Sequence, residues 1–192
     1  MGVKDQLSND LKEAMKSKAA DHVTMLRGVM AAVKEAEQKK KEDLVKAALK
    51  KHNVMRPTSS EDAAAMSAYD KAVGDALAAE KVDSQTELEE GEILSTVQKL
   101  IKMRQDSIGD AEKAGRSDIV ANEKREMAWL QAYLPAQMSR EDIEAEARAI
   151  ISQTGASGPK DMGKVMGPLN GKLKGRADGK LISEVVKALL GN

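Results

Sequence analysis

The sequence predicts an all-α protein on three observations. Alanine supplies 28 of the 192 residues beside abundant Lys, Glu and Leu, a composition that favours helix. Apolar residues recur at intervals of three and four through most of the chain, and no segment alternates with period two. Trp129, Tyr69 and Tyr133 are the only aromatic residues and Phe is absent. Stability therefore comes from many small contacts, at about 25 cal/mol per Å2 of apolar surface buried.

Leu7, Leu11, Ala14 and Met15 mark a short amphipathic helix over about 3–18. Asp21 is placed to cap the next helix, whose apolar stripe is Met25, Leu26, Val29, Met30, Val33 and Ala36. A Met-rich stripe at this spacing reads as core filler. A weaker helical pattern continues through Leu44, Val45, Ala48 and Leu49 to about His52, and Met55-Arg-Pro-Thr-Ser-Ser60 breaks it. Ser59 and Ser60, followed by Glu61 and Asp62, are expected to cap a helix with Met66, Tyr69, Val73 and Leu77 on one face.

Thr86-Glu-Leu-Glu89 has the spacing of a capping box. Ile93, Leu94, Val97, Leu100, Ile101 and Ile108 form the stripe behind it, up to a C-terminal Gly115. Ser117 opens a helix with Ile119, Val120, Met127, Leu130 and Leu134 inward, ended by Pro135. Ser139-Arg-Glu-Asp142 is a second capping box, followed by Ile143, Ala147, Ile150 and Ile151. Met162, Val165, Met166, Leu169 and Leu173 imply another helix, but Pro168 in its interior would cost about 3 kcal/mol and predicts a kink or an early end. Ile182, Val185, Val186, Leu189 and Leu190 define the last helix, preceded by Asp178 or Gly179.

Basic and acidic residues number 31 each, so the whole chain is no polycation. Residues 159–187 are uneven, with 7 basic residues against 3 acidic. The same stretch carries Gly163, Gly167, Gly171, Gly175 and Gly179. Local charge steers anions, and amides bare of Cβ can approach phosphate. The four-residue glycine interval has a second reading, in which Gly163 and Gly167 allow close helix–helix approach. Arg176 and Lys180 beside the N-terminus of the last helix would complete a phosphate site. With no aromatic residue in this stretch, base stacking cannot be the main mode by which it would hold a polyanion such as a nucleic-acid backbone.

Catalytic chemistry finds little to work with. His22 and His52 lie in separate helical segments with no ligands at metal spacing, and Glu123 and Glu126 read as a solvated helix face. Gly167 to Lys172 fails as a phosphate loop, because three residues rather than four separate its glycines and Leu173 follows the lysine. No catalytic residue, metal or cofactor is expected. The absence of cysteine, of a signal-peptide pattern and of any apolar run near ~20 residues makes a soluble cytoplasmic protein the expectation.

Several segments taken together carry a resemblance. They are Leu26-Arg-Gly-Val-Met-Ala-Ala-Val-Lys-Glu-Ala-Glu37, Ile101-Lys-Met-Arg-Gln-Asp-Ser-Ile108, Glu112-Lys-Ala-Gly-Arg-Ser-Asp118 and Glu123-Lys-Arg-Glu126. Tyr133-Leu-Pro-Ala-Gln137, Asp161-Met-Gly-Lys-Val-Met-Gly167 and Lys174-Gly-Arg-Ala-Asp-Gly179 complete the set. The chain resembles the GatB/YqeY family, and within it the stand-alone YqeY-like members, outside about 40–85, which reads as an insertion. The resemblance implies an N-terminal helical domain over 1–137 and a small helical domain over 138–192. The latter is similar to the tail of the B subunit of tRNA-dependent amidotransferase, which engages tRNA.

What carries over is tRNA contact rather than amide transfer, and a carbon–nitrogen ligase label would be inherited from the larger enzyme. On that basis Lys160, Lys164, Lys172, Lys174, Arg176 and Lys180 are the expected RNA-binding positions, with Gly163, Gly167, Gly175 and Gly179 as supporting backbone. The alternative is an adaptor that docks on an aminoacyl-tRNA synthetase or an amidotransferase.

Overall fold

The computed structural model describes residues 2–59 and 61–191. Eight α-helices are present and no strand occurs among the described residues: α1 Val3–Lys16, α2 Ala20–Lys51, α3 Ala63–Ala79, α4 Glu90–Lys113, α5 Ser117–Gln131, α6 Arg140–Thr154, α7 Met162–Lys172 and α8 Gly179–Leu190. Short 3-10 turns stand at Val82–Gln85 and Pro159–Asp161. The chain divides into two compact units, Met1–Leu26 with Glu90–Asn192, and Arg27–Glu89. No helix among the described residues is long and apolar enough to cross a membrane.

The helix ends show where local spacing rules hold and where a competing partner wins. Ser139 caps α6 as predicted: its hydroxyl accepts from the Asp142 amide, and the Asp142 carboxylate accepts from the Ser139 amide. Thr86 makes no such box. Its hydroxyl donates to the Asp83 carbonyl at 3.0 Å, closing the 3-10 turn, and α4 starts only at Glu90. Asp62 caps α3 by accepting from the Ala64 and Ala65 amides, in place of the expected serines, of which Ser60 lies outside the described residues. Asp21 falls inside the first turn of α2 rather than at its cap.

In the unit Arg27–Glu89, Val29, Val33, Ala48, Ala76 and Val82 are buried, while Met30 of the predicted stripe stands 37% exposed. Glu80 ties the end of α2 to the end of α3, holding Lys51 Nζ and His52 Nε2 at 2.8 Å each.

In the larger unit α4 and α5 form a helical hairpin around the turn at Gly115, whose φ of 68° is the left-handed geometry expected there. Arg104 fastens the pair, with Nη2 2.7 Å from Glu126 and Nη1 3.3 Å from Glu123. Ser107 adds a hydroxyl bond to Glu123 at 3.1 Å. Those two glutamates are only 15% and 14% exposed, so they are a half-buried clamp and not the solvated face expected from sequence. Tyr133, buried at the end of this hairpin, donates to Asp10 of α1 at 2.5 Å. Its burial and that carboxylate push the phenol well above its ordinary range.

The helices α6, α7 and α8 close around their own apolar cluster, which includes Ile143, Val165, Leu169, Ile182 and Val186. α7 runs through Pro168 to Lys172, so of the expected kink or early end the early end does not occur. Val165, Leu169 and Leu173 are at most 1% exposed, one helical turn apart. At about 1.5–3 kcal/mol for each fully buried side chain, their burial outweighs the roughly 3 kcal/mol that a helical proline costs.

Candidate nucleic-acid interface

The turn after α7 is shaped by two residues. Gly175 takes φ 79°, and a Cβ built there would stand 2.6 Å from the Leu94 Cβ and 2.7 Å from its Cδ1. Leu173 and Ala177 on either side are buried, so the turn is seated while Lys174 and Arg176 point outward. Asp178 then caps α8, its Oδ1 accepting from the amides of Lys180 at 2.8 Å and Leu181 at 3.2 Å. The helix end expected to offer free amides to a phosphate therefore already holds a carboxylate of its own.

The six expected cations divide into two groups. Lys164 is ion-paired with Asp161 at 2.7 Å, Lys172 with Glu146 at 2.6 Å, and Lys174 loosely with Glu92 at 3.9 Å. Lys164 and the Ser157 amide hold the Asp161 carboxyl below its ordinary range. Lys160, Arg176 and Lys180 are exposed and have no ion-pair partner among the described residues. Gly163, Gly167 and Gly171 lie exposed along α7, and a Cβ at any of them would meet nothing within 4 Å. The close-packing reading of Gly163 and Gly167 is thus not realised, and Gly179 is equally open.

Sequence reasoning missed the opposite wall. A cavity of about 470 Å3 lies between α4 and the 170–179 segment, with Gln98, Lys99, Lys102, Asn170, Lys174 and Asp178 among its lining. Lys99 and Lys102 are exposed and have no ion-pair partner among the described residues. Three lysines therefore face one carboxylate around this cavity. A neighbouring cavity of about 500 Å3 shares Gln98, Lys102 and Asp178, and adds Gln105, Gln131 and the Leu134–Gln137 segment. The signal was present in the sequence as Ser95, Gln98, Lys102 and Gln105, a polar stripe at helical spacing beside the apolar one.

Neither histidine joins this region: His22 stacks on Trp129 with ring centroids 4.6 Å apart, and His52 pairs with Glu80. No group of three or more His, Cys, Asp or Glu suited to a metal occurs among the described residues.

The fold and this surface define an all-α protein with a lysine-lined cleft beside its last two helices. The family model described as Yqey-like protein matches residues 52–190, and the chain belongs to that family. The match takes in 52–85, most of the segment read as an insertion from the sequence. No curated protein matches the chain.

Proposed function

We propose that this is a non-catalytic accessory protein that binds the backbone of structured RNA, with tRNA the partner its family resemblance favours. Its role would lie in aminoacyl-tRNA synthesis or tRNA-dependent amidation. The observation that carries the reading is the one-sided charge around the turn after α7. Lys174, Arg176 and Lys180 occupy that segment, and Lys99 and Lys102 line the cleft beneath it, against Asp178 and Glu92. The pairing of Lys164 and Lys172 with carboxylates favours this turn over α7 as the contact. Phosphate contacts of this kind release counterions, so about four of them give log K against log salt a slope near −3 to −4.

Titration of tRNA at several salt concentrations tests the reading. An Arg176→Ala/Lys180→Ala variant is expected to bind more weakly and with a flatter slope, by roughly one per phosphate contact removed. Equal slopes for variant and wild type would remove the assignment. Retention of a synthetase or amidotransferase from nuclease-treated lysate, without any affinity for tRNA, would favour the adaptor instead.

A further inference from the structure

We infer that the cleft between α4 and the 170–179 segment takes one unpaired ribonucleotide of the bound RNA, its phosphate on the lysines and its base edge on the glutamine amides. The inference rests on the RNA reading above and assigns a place within it. A duplex presents a convex backbone with its base edges paired, and only an unstacked nucleotide can enter a concave site. The cavity between α4 and the turn has the size of a small-ligand site, about 470 Å3. Lys99 and Lys102 stand on one wall, and Lys174, held only loosely by Glu92 at 3.9 Å, stands on the other with Asp178, so a phosphate there meets three lysines against one lining carboxylate.

The adjoining cavity has a different character. Ile101, Leu134 and Pro135 give it apolar surface, while Gln98, Gln105 and Gln131 bring side-chain amides. An amide offers both donors and an acceptor, which is what a base edge requires. The Gln98 amide group already donates at 3.4 Å to Gln137 and to the Ala177 carbonyl. Gln105 and Gln131 make no side-chain hydrogen bond to a described residue, so their full capacity remains for a ligand. Lys102 belongs to both cavities and joins the cationic part to the amide part. A bare phosphate would leave the amide half unused, and a neutral base would leave the lysines unused.

The test compares a small RNA hairpin carrying a single-stranded 3′ overhang with the same hairpin made blunt. The wild-type protein is expected to prefer the overhang by about tenfold, within the range one base contact provides. The charge-neutral variant Gln105→Leu/Gln131→Leu is expected to lose that preference while binding the blunt hairpin within about twofold of wild type. Lys99→Gln/Lys102→Gln should lose the preference and weaken both RNAs. Equal binding of overhang and blunt RNA by the wild type, or a preference that survives Gln105→Leu/Gln131→Leu, overturns the cleft assignment alone. Failure to bind either RNA overturns the RNA reading together with it.

Discussion

Gly175 and Leu94 meet so closely that no side chain fits between them: a Cβ at 175 would lie 2.6 Å from that of Leu94. The contact seats the turn carrying Lys174 and Arg176 on α4, and the positive φ of 79° reserves the position for glycine on separate grounds. Gly175→Ala meets both penalties. The left-handed backbone alone costs about 1–2 kcal/mol, and overpacking adds about 1–3 kcal/mol. Urea denaturation is expected to show a loss of at least about 2 kcal/mol. An unchanged midpoint would mean that the turn is not seated as described.

The Arg104 clamp gives a second expectation. Arg104→Leu leaves Glu123 and Glu126, 14% and 15% exposed, facing each other without their cation. Removing one partner of a fully buried pair costs about 3–5 kcal/mol. Arg104 itself is 35% exposed, so solvent screening brings the expected loss down to about 1–3 kcal/mol. Thermal or urea unfolding measures it. A variant as stable as wild type would demote the clamp to a surface contact.

Asp161 carries a prediction about pH. Lys164 first, and then the Ser157 amide, lower its carboxyl from the ordinary 3.8. A depressed folded-state value means that the contribution is complete above 3.8, fades as pH falls through the folded value, and is gone below it. Carboxyl NMR titration should place Asp161 below 3.8, and Lys164→Ala should raise the midpoint. A midpoint indifferent to that substitution would dissolve the pair in solution.

Asp178 works in two opposed directions. Its side chain caps α8, and its carboxylate lines the cleft beneath the turn. Asp178→Ala is expected to lower stability by about 1 kcal/mol, the usual worth of an N-cap. The same change frees the Lys180 and Leu181 amides and removes a negative charge, so tRNA affinity at low salt should rise. Stability and affinity moving down together would mean that Asp178 shapes the cleft more than it repels phosphate.

The helices were legible because their signals are local. The α6 cap needs only Ser139 and Asp142, and the α8 stripe needs only its own leucines, valines and isoleucine. The Thr86 box had the right spacing, but spacing does not reveal that the Asp83 carbonyl competes for the hydroxyl. Pro168 was judged by what a helix loses, while the compensating burial of Val165 and Leu169 depends on α6 and α8. The site divides in the same way. Lys174, Gly175 and Gly179 stood out as cations and glycines close in sequence, and all three do line the cleft. Lys99, Lys102 and the Glu92 that holds Lys174 come from α4, far away in the chain, and the Glu146 that holds Lys172 comes from α6. Sequence neighbourhood cannot show a partner that only folding delivers.

Lys172 and Arg176 differ in whether a carboxylate holds them. Sequence treats them alike, as basic residues among glycines. In the fold Lys172 reaches Glu146 of α6 at 2.6 Å and so joins α7 to its neighbour, with Glu146 only 31% exposed. Arg176 uses its backbone, accepting from the Met138 amide at 2.9 Å, and leaves its side chain exposed without an ion-pair partner among the described residues. Lys172→Ala is therefore expected to cost up to about 1 kcal/mol of stability and to leave tRNA affinity within about twofold. Arg176→Ala should leave stability within about 0.5 kcal/mol. It should weaken tRNA binding at low salt and flatten the salt slope by about one. Denaturation and tRNA titration on the two variants give four numbers, and the expectation is a crossed pattern. If both variants lose the same affinity, the Lys172–Glu146 pair opens readily to RNA and α7 belongs to the interface after all.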